Sequence, residues 1–372
     1  MFNELAAEST LKFVSKAKSL AKEVKANLGL GEPDKAPPQP LLELLKESMK
    51  VKPTYVPSAG LPEAREAVAE WLSRRYGAEV SPKEVMITPS GKAALFLTLS
   101  YASEKYRSAS LYDPTYYSYE PVLKAWGVSV RKIPMVKKEN SYEFPDHELT
   151  KEILVLNSPA NPTGAVLGER TLGLLERARE RGALVISDEP YDVFVYEGKH
   201  YSVLQYDKWR DVAIFVYSFS KILCVPGWRL GAIVAPEEVI RKLSAAASNV
   251  YGCACKWEQL ALARYLKEYP DDLERHVREM VEDYSKRRGL VAEKLRGVAK
   301  FLGIGKGAFY AFPEFERDGE ELALELAKRG VIAIPGSIFS ERARNNLRIS
   351  YSAPIKELEY GLDVLREVVG EG

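Results

Sequence analysis

Three short apolar runs in the middle of the chain, residues 153–156, 184–187 and 213–217, each end in a cluster of polar residues. Between the first two runs, residues 171–182 have leucines at helical spacing and a closing glycine, which predicts a strand–helix–strand unit. Crossovers of this kind make neighbouring strands parallel, so their polar ends meet at one sheet edge, where open α/β sheets bind ligands. The sequence therefore predicts an α/β fold with a mainly parallel sheet.

The polar clusters contain residue types that suit a phosphate-bearing carbonyl ligand. The first is residues 157–164, Asn-Ser-Pro-Ala-Asn-Pro-Thr-Gly, and the second begins at Asp188 in Asp-Glu-Pro-Tyr. The third runs from Ser218 to Lys221 and is followed by Gly-Trp-Arg-Leu-Gly, which contains Arg229. A lysine can form a Schiff base, while hydroxyls and a guanidinium can hold phosphate. Each cluster alone could be an ordinary turn, but three on successive strands favour a ligand site.

This arrangement resembles the pyridoxal-phosphate-dependent aminotransferases of classes I and II, and the resemblance covers nearly the whole chain. It implies the α/β fold of type I transferases, with a large domain whose mainly parallel sheet is sandwiched by helices, and a smaller α+β domain. We predict that residues 41–262 form the large cofactor-binding domain and that residues 1–40 join 263–372 in the small one. Residues 1–20 are predicted to be helical, and further strands are predicted at 85–88, 108–112, 128–133, 231–235, 308–312 and 346–351.

The resemblance also implies how pyridoxal 5′-phosphate would be held around its ring. Lys221 would carry the cofactor and act as the general base, and Asp188 would pair with the pyridine nitrogen. Tyr191 and Asn161 would hydrogen-bond the phenolate oxygen of the ring. Tyr116 would stack on the ring.

Two neighbouring tyrosines, Tyr117 and Tyr119, are predicted to have packing roles in the core or the interface.

The cofactor phosphate requires hydrogen-bond donors, and the start of a helix supplies backbone amides for an anion. The predicted phosphate ligands within one chain are Ser90, Gly91, Lys92, Ser218 and Arg229. Tyr55 is predicted to come from the second subunit, across the interface of a homodimer. The resemblance thus implies shared active sites.

The resemblance assigns four residues to the substrate. Arg348 would clamp the α-carboxylate, and Asn161 and Gly31 would lie beside it. Lys92 occupies the position at which some family members bind the distal carboxylate of an acidic donor. A solvated lysine in the first helical turn and an ordinary turn glycine remain the alternatives for Lys92 and Gly31.

The predicted function is a ping-pong transfer of an amino group from an L-amino acid, with aspartate or glutamate favoured, to a 2-oxo acid such as 2-oxoglutarate. The alternatives are an aromatic or broad-specificity aminotransferase and another fold-type-I enzyme, such as a lyase or decarboxylase. The predicted role of Arg348 argues against enzymes that need no strong α-carboxylate clamp.

Composition narrows the other functional classes. The 53 Lys and Arg residues nearly balance the 52 Asp and Glu residues, which disfavours nucleic acid or an anionic membrane as a partner. The three cysteines suggest neither a disulfide framework nor a metal site, and the three histidines lie outside these motifs, which disfavours a Ser-His-Asp hydrolase. Composition thus favours a cytoplasmic protein that acts on small molecules, and the resemblance implies that it is a homodimer.

Overall fold

The computed structural model describes residues 2–6 and 9–370. The helix predicted over residues 1–20 is present as two helices, while Met1, Ala7 and Glu8 lie outside the described residues. The α-helices are α1 Phe2–Leu5, α2 Thr10–Leu20, α3 Gln39–Ser48, α4 Pro62–Tyr76, α5 Gly91–Lys105, α6 Tyr119–Ala125, α7 Arg170–Arg181, α8 Trp209–Val212, α9 Phe219–Ile222, α10 Glu237–Val250, α11 Lys256–Glu268, α12 Pro270–Leu295, α13 Gly319–Lys328 and α14 Ile355–Gly370.

The strands are short, and the predicted ones agree with the structure to within a few residues at their ends. They are β1 Ala26–Asn27, β2 Val85–Thr88, β3 Ser108–Asp113, β4 Ser129–Pro134, β5 Val136–Lys138, β6 Ser141–Glu143, β7 Ile153–Asn157, β8 Leu184–Asp188, β9 Ala213–Ser218, β10 Gly231–Val234, β11 Tyr310–Ala311, β12 Val331–Ile332, β13 Ile334–Pro335 and β14 Leu347–Ser350.

Seven strands form the main sheet in the order β2-β10-β9-β8-β7-β3-β4. The five strands from β9 to β4 are parallel, whereas β10 runs antiparallel to both of its neighbours. The predicted mainly parallel α/β sheet is therefore confirmed.

The central strands β7, β8 and β9 are buried along almost their whole length and are apolar up to their carboxyl ends, because helices cover both faces of the sheet. Along β7, Leu154 and Leu156 pack into one hydrophobic cluster, whereas Val155 packs into the cluster on the opposite face. Along β9, Phe215 and Val216 divide in the same way. This alternation orients each strand and thereby fixes which residues emerge at its carboxyl end.

A second group of strands comes from the two ends of the chain. β11, β14 and β13 form a three-stranded antiparallel sheet, and β1 near the N-terminus pairs in parallel with β12. The division at residues 40/41 and 262/263 stays a prediction. Within the described residues, no helix combines the length and the apolar character that a membrane crossing requires.

Candidate active site

The carboxyl ends of β7, β8 and β9 lie side by side and bring the predicted polar clusters to one sheet edge. Asn157, the last residue of β7, is in register with Asp188 and donates its Nδ2 hydrogen to the Asp188 carbonyl oxygen at 2.8 Å. Its Oδ1 accepts the backbone N–H of Asn161 at 2.7 Å. Asn157 therefore fixes the loop that carries Asn161, a role that the sequence analysis did not assign.

Asp188 is a buried carboxyl, 6% exposed, that lines a cavity. Burial raises the pKa of Asp188 to about 7, while a hydrogen bond from the Tyr119 hydroxyl at 2.6 Å opposes the rise. A cation bound beside this carboxyl would restore its charged form. The predicted packing role of Tyr119 is confirmed, because its ring is buried in the core, and its hydroxyl in addition holds Asp188.

Lys221 extends into the same cavity and donates to the carbonyl oxygen of Gly31 at 2.5 Å. Burial lowers the pKa of Lys221 to about 8, with Glu32 opposing the shift and the charges of Arg348 and Arg229 adding to it. An amine with this pKa is partly neutral near pH 7 and can act as a nucleophile or base.

Gly31 is required for space, because any Cβ added there would collide with the Tyr310 hydroxyl. The sequence alone left an ordinary turn glycine open at this position.

Arg348 lies on β14, across the cavity from the main sheet, and is 3% exposed. Its Nη1 donates to Asn161 Oδ1 at 3.1 Å, and its Nη2 donates to the Gly29 carbonyl oxygen at 2.6 Å. The rings of Tyr310 and Phe339 lie 4.6 and 4.9 Å from the guanidinium carbon. Among the described residues, Nε of Arg348 is buried without a hydrogen-bond partner. Such a donor fits an anion that enters the cavity.

The start of α5 approaches the end of β9 closely. A Cβ added at Gly91 would lie 2.8 Å from the Ser218 Cβ, so only glycine lets the first amides of the helix reach this edge. Ser90 caps the helix by accepting from Ala93 N–H at 3.1 Å, and it does so at a φ of 125°, a strained value for a residue with a side chain. Arg229 is exposed and borders the same end of the cavity.

Lys92 and two tyrosines form the outer wall. The Lys92 ammonium donates to the Tyr117 hydroxyl at 3.0 Å and lies 5.7 Å from the Tyr116 ring centre. Although burial works in the opposite direction, Lys92 and a hydrogen bond from Thr10 help to lower the pKa of Tyr117 to about 8. The prediction of a packing role for Tyr117 was incomplete, because this residue also borders the cavity.

The structure brings together every predicted site residue except Tyr55. Tyr55 is 96% exposed, and it is not one of the described residues that line the cavity of its own chain. The predicted residues that line the cavity are Gly31, Ser90, Gly91, Lys92, Tyr116, Asn161, Asp188, Tyr191, Ser218, Lys221, Arg229 and Arg348.

Tyr310 also lines the cavity. It was not predicted as a site residue, because its only mark in the sequence is its position within a predicted strand.

The donor set fits a planar heteroaromatic ring that carries a phosphate. The cavity lining combines a helix N-terminus, a hydroxyl and a guanidinium with a buried carboxyl and an amine. Within the described part of the chain, no group of three His, Cys, Asp or Glu residues could hold a metal ion.

Comparison with known proteins gives consistent matches along the chain. The family described as aminotransferase class I and II matches residues 23–365. Aspartate aminotransferase of Sulfolobus acidocaldarius is 33% identical over 99% of this chain and 96% of its own length. Aromatic-amino-acid aminotransferase 2 of Thermococcus litoralis is also 33% identical, over 93% and 92%. The solved structure of aspartate aminotransferase from Thermus thermophilus with maleate superimposes with a TM-score of 0.91 at 28% identity, covering 99% and 98%.

Proposed function

The chain belongs to the class I and II aminotransferases and is a transaminase, and from this we propose that it moves the amino group of aspartate or glutamate to a 2-oxo acid such as 2-oxoglutarate. Pyridoxal 5′-phosphate would serve as the cofactor in a ping-pong reaction. The observation that carries the proposal is that Lys221, Asp188 and Arg348 border one cavity.

Each end of the proposed cofactor has matching residues. Ser90, Gly91, Ser218 and Arg229 would hold the phosphate, and Asp188 would pair with the ring nitrogen. Tyr116 would stack on the ring, while Asn161 and Tyr191 would contact its phenolic oxygen. When bound, the cofactor would supply an electron sink for the bond to the substrate α-hydrogen.

The protein side chains would then divide the work of binding and proton transfer. Arg348 would hold the substrate α-carboxylate through a charge-assisted contact, with Asn161 fixing the guanidinium. Lys221 would remove the α-proton, and its lowered pKa makes the neutral amine available near neutral pH. Gly31 would accept a hydrogen bond from Lys221 while the amine is free.

Lys92 supports an acidic donor because its ammonium faces the outer part of the cavity, where the distal carboxylate of aspartate or glutamate would lie. A second candidate is an aromatic donor. Lys92 and Tyr117 also border a neighbouring apolar pocket, which is lined by Leu11, Leu95, Phe96 and Val122 among others. Such a pocket would suit a ring, and one relative is named for aromatic amino acids.

Half-reactions test the proposal. The purified protein loaded with pyridoxal phosphate is mixed with each L-amino acid while the cofactor absorption is followed, and aspartate and glutamate should convert it fastest. Faster conversion by tyrosine or phenylalanine would select the second candidate, and no conversion by any amino acid would refute both. Borohydride reduction followed by peptide mapping should label Lys221, and Lys221→Ala is the control.

A further inference from the structure

Tyr310 contacts three residues of the candidate site and was not expected there from the sequence. Its hydroxyl oxygen is 2.9 Å from the hydroxyl oxygen of Tyr191, and its ring lies against the guanidinium of Arg348. Its hydroxyl also fills the space beside Gly31, whose carbonyl binds Lys221. Tyr310 is 1% exposed, so its hydroxyl requires a partner within the protein. Among the described side-chain hydrogen bonds, that partner is Tyr191 alone.

The direction of the hydrogen bond between the two phenols follows from their surroundings. Each hydroxyl has one proton to donate, so if Tyr191 donates to a ligand, its oxygen is left to accept from Tyr310. Burial raises the pKa of both phenols and the positive charge of Arg348 opposes the rise at both, but it is the Tyr310 ring that lies against the guanidinium, 4.6 Å from its carbon. A nearby cation makes a phenol the stronger donor, which favours donation from Tyr310 to Tyr191.

We propose that Tyr310 is a positioning residue, which donates to Tyr191 and thereby directs the Tyr191 hydroxyl proton at the phenolic oxygen of the bound cofactor. The inference rests on the proposed cofactor site. A chain of two hydrogen bonds polarises each member, so the Tyr191 hydroxyl becomes a stronger donor than it would be alone. A stronger donor stabilises the ring oxygen as an anion and lowers the pKa at which the cofactor on Lys221 takes up a proton.

The test is a spectroscopic pH titration of the cofactor band in parent protein and variants. Tyr310→Phe keeps the ring against Arg348 and removes only the hydroxyl, so the pKa of the band should rise by about half to one unit, as expected for one neutral hydrogen bond. Tyr191→Phe should raise it further.

The double variant separates a positioning role from a general disturbance of the site. If Tyr310 acts through Tyr191, adding Tyr310→Phe to Tyr191→Phe should produce no further shift. Tyr351→Phe is the matched control, because Tyr351 is fully buried nearby and its hydroxyl donates to the Ala308 carbonyl oxygen at 3.3 Å. It should leave the pKa of the band unchanged.

The outcomes also separate this inference from the proposed function. A parent protein that shows no cofactor band would refute the cofactor site itself. A normal parent band with no shift in Tyr310→Phe, or with equal shifts whether or not Tyr191 keeps its hydroxyl, would overturn the role of Tyr310 alone.

Discussion

The two ends of the cavity differ in how completely one chain builds them. At the ring end, formed by Asp188, Tyr191 and Arg348, each side chain is buried and has a partner from a distant part of the sequence. At the phosphate end, formed by Ser90, Gly91, Ser218 and Arg229, Arg229 is exposed and donates to Pro226 in its own turn at 2.7 Å. The side chains of the ring end are therefore fixed by the fold, whereas at the phosphate end the Arg229 guanidinium remains exposed.

The largest effect is expected at the ring end, from Asp188→Asn. Asparagine keeps the shape but cannot carry the charge that would pair with a protonated ring nitrogen. We expect kcat to fall by at least 100-fold, or about 3 kcal/mol, which is typical for loss of one preorganised electrostatic group. Tyr119→Phe should cause a smaller loss, because it removes only the hydroxyl that holds Asp188. Near-normal turnover of Asp188→Asn with full cofactor content would contradict the assignment.

Arg348→Lys tests the other side of the ring end. Lysine keeps the charge but loses the planar fork, so kcat/KM should fall by about 10- to 100-fold for every amino donor alike, or roughly 1.5–3 kcal/mol. Arg264→Lys is a suitable control, because the ion pairs of Arg264 with Glu47 and Glu268 among the described residues lie at the surface. A loss of kcat/KM confined to acidic donors would show that Arg348 binds the distal carboxylate instead of the α-carboxylate.

The pH dependence of cofactor loading tests the environment of Lys221. With a pKa of about 8, roughly a tenth of this amine is neutral at pH 7. The rate at which cofactor-free protein reacts with pyridoxal phosphate should therefore rise about tenfold per unit up to pH 8 and then level off, because only the neutral amine reacts. Stopped-flow absorption between pH 6 and 10 measures this. A rise that continues from pH 8 to pH 10 without levelling off would mean that burial does not shift the pKa of this amine.

Residues at the ends of parallel strands were easier to predict from the sequence than residues whose partners come from distant segments. Asn161, Asp188 and Lys221 were predictable because the ends of parallel strands converge, so local patterns place them at one edge. The hydrogen bonds of Tyr119 and Tyr310 were not predictable. The sequence around a buried tyrosine does not show whether its hydroxyl contacts a carboxylate or another phenol. Such partners come from distant segments and are decided by packing.

The segment that carries the exposed Tyr55 is held against α11 by hydrogen bonds. Lys256 on α11 donates to the Thr54 hydroxyl at 2.9 Å, and the Trp257 indole donates to the Val51 carbonyl oxygen at 2.8 Å. Beside Arg229, burial raises the pKa of Glu258 to about 7, and one of its oxygens has no hydrogen-bond partner among the described residues. The exposed Tyr55 and the unsatisfied Glu258 carboxyl are consistent with the predicted homodimer, which stays a prediction that complementation can test.

We expect Tyr55→Phe to weaken cofactor binding by about tenfold, the value of one hydrogen bond to a charged phosphate, when the protein is titrated with pyridoxal phosphate. Complementation tests whether Tyr55 acts in trans. Hybrids of Lys221→Ala chains with Tyr55→Phe chains should regain one intact site, and with it parent-like cofactor affinity at that site. Hybrids that keep only the weak affinity would place Tyr55 in the site of its own chain.

The smallest change in activity is expected from substitution of Lys92, which lies at the outer wall of the cavity and belongs to neither the ring end nor the phosphate end. Lys92→Ala should lower kcat/KM for aspartate about fivefold more than for tyrosine, corresponding to about 1 kcal/mol, the upper range for an exposed ion pair. The effect is limited because the Lys92 side chain is exposed and already donates to Tyr117, so a substrate carboxylate gains only part of a new contact.

Two further variants test whether the effect of Lys92→Ala comes from contact with the distal carboxylate. Lys105→Ala at the other end of α5 removes a similarly exposed lysine that also lies near a tyrosine ring, and it should leave the ratio of aspartate to tyrosine unchanged. Tyr117→Phe frees the Lys92 ammonium from its hydrogen bond, so it should raise the preference for aspartate if Lys92 reads the distal carboxylate. Equal losses on both donors in Lys92→Ala would remove the case for an acidic substrate. The apolar pocket beside Lys92 would then favour an aromatic donor, and the outer wall would select by shape rather than by charge.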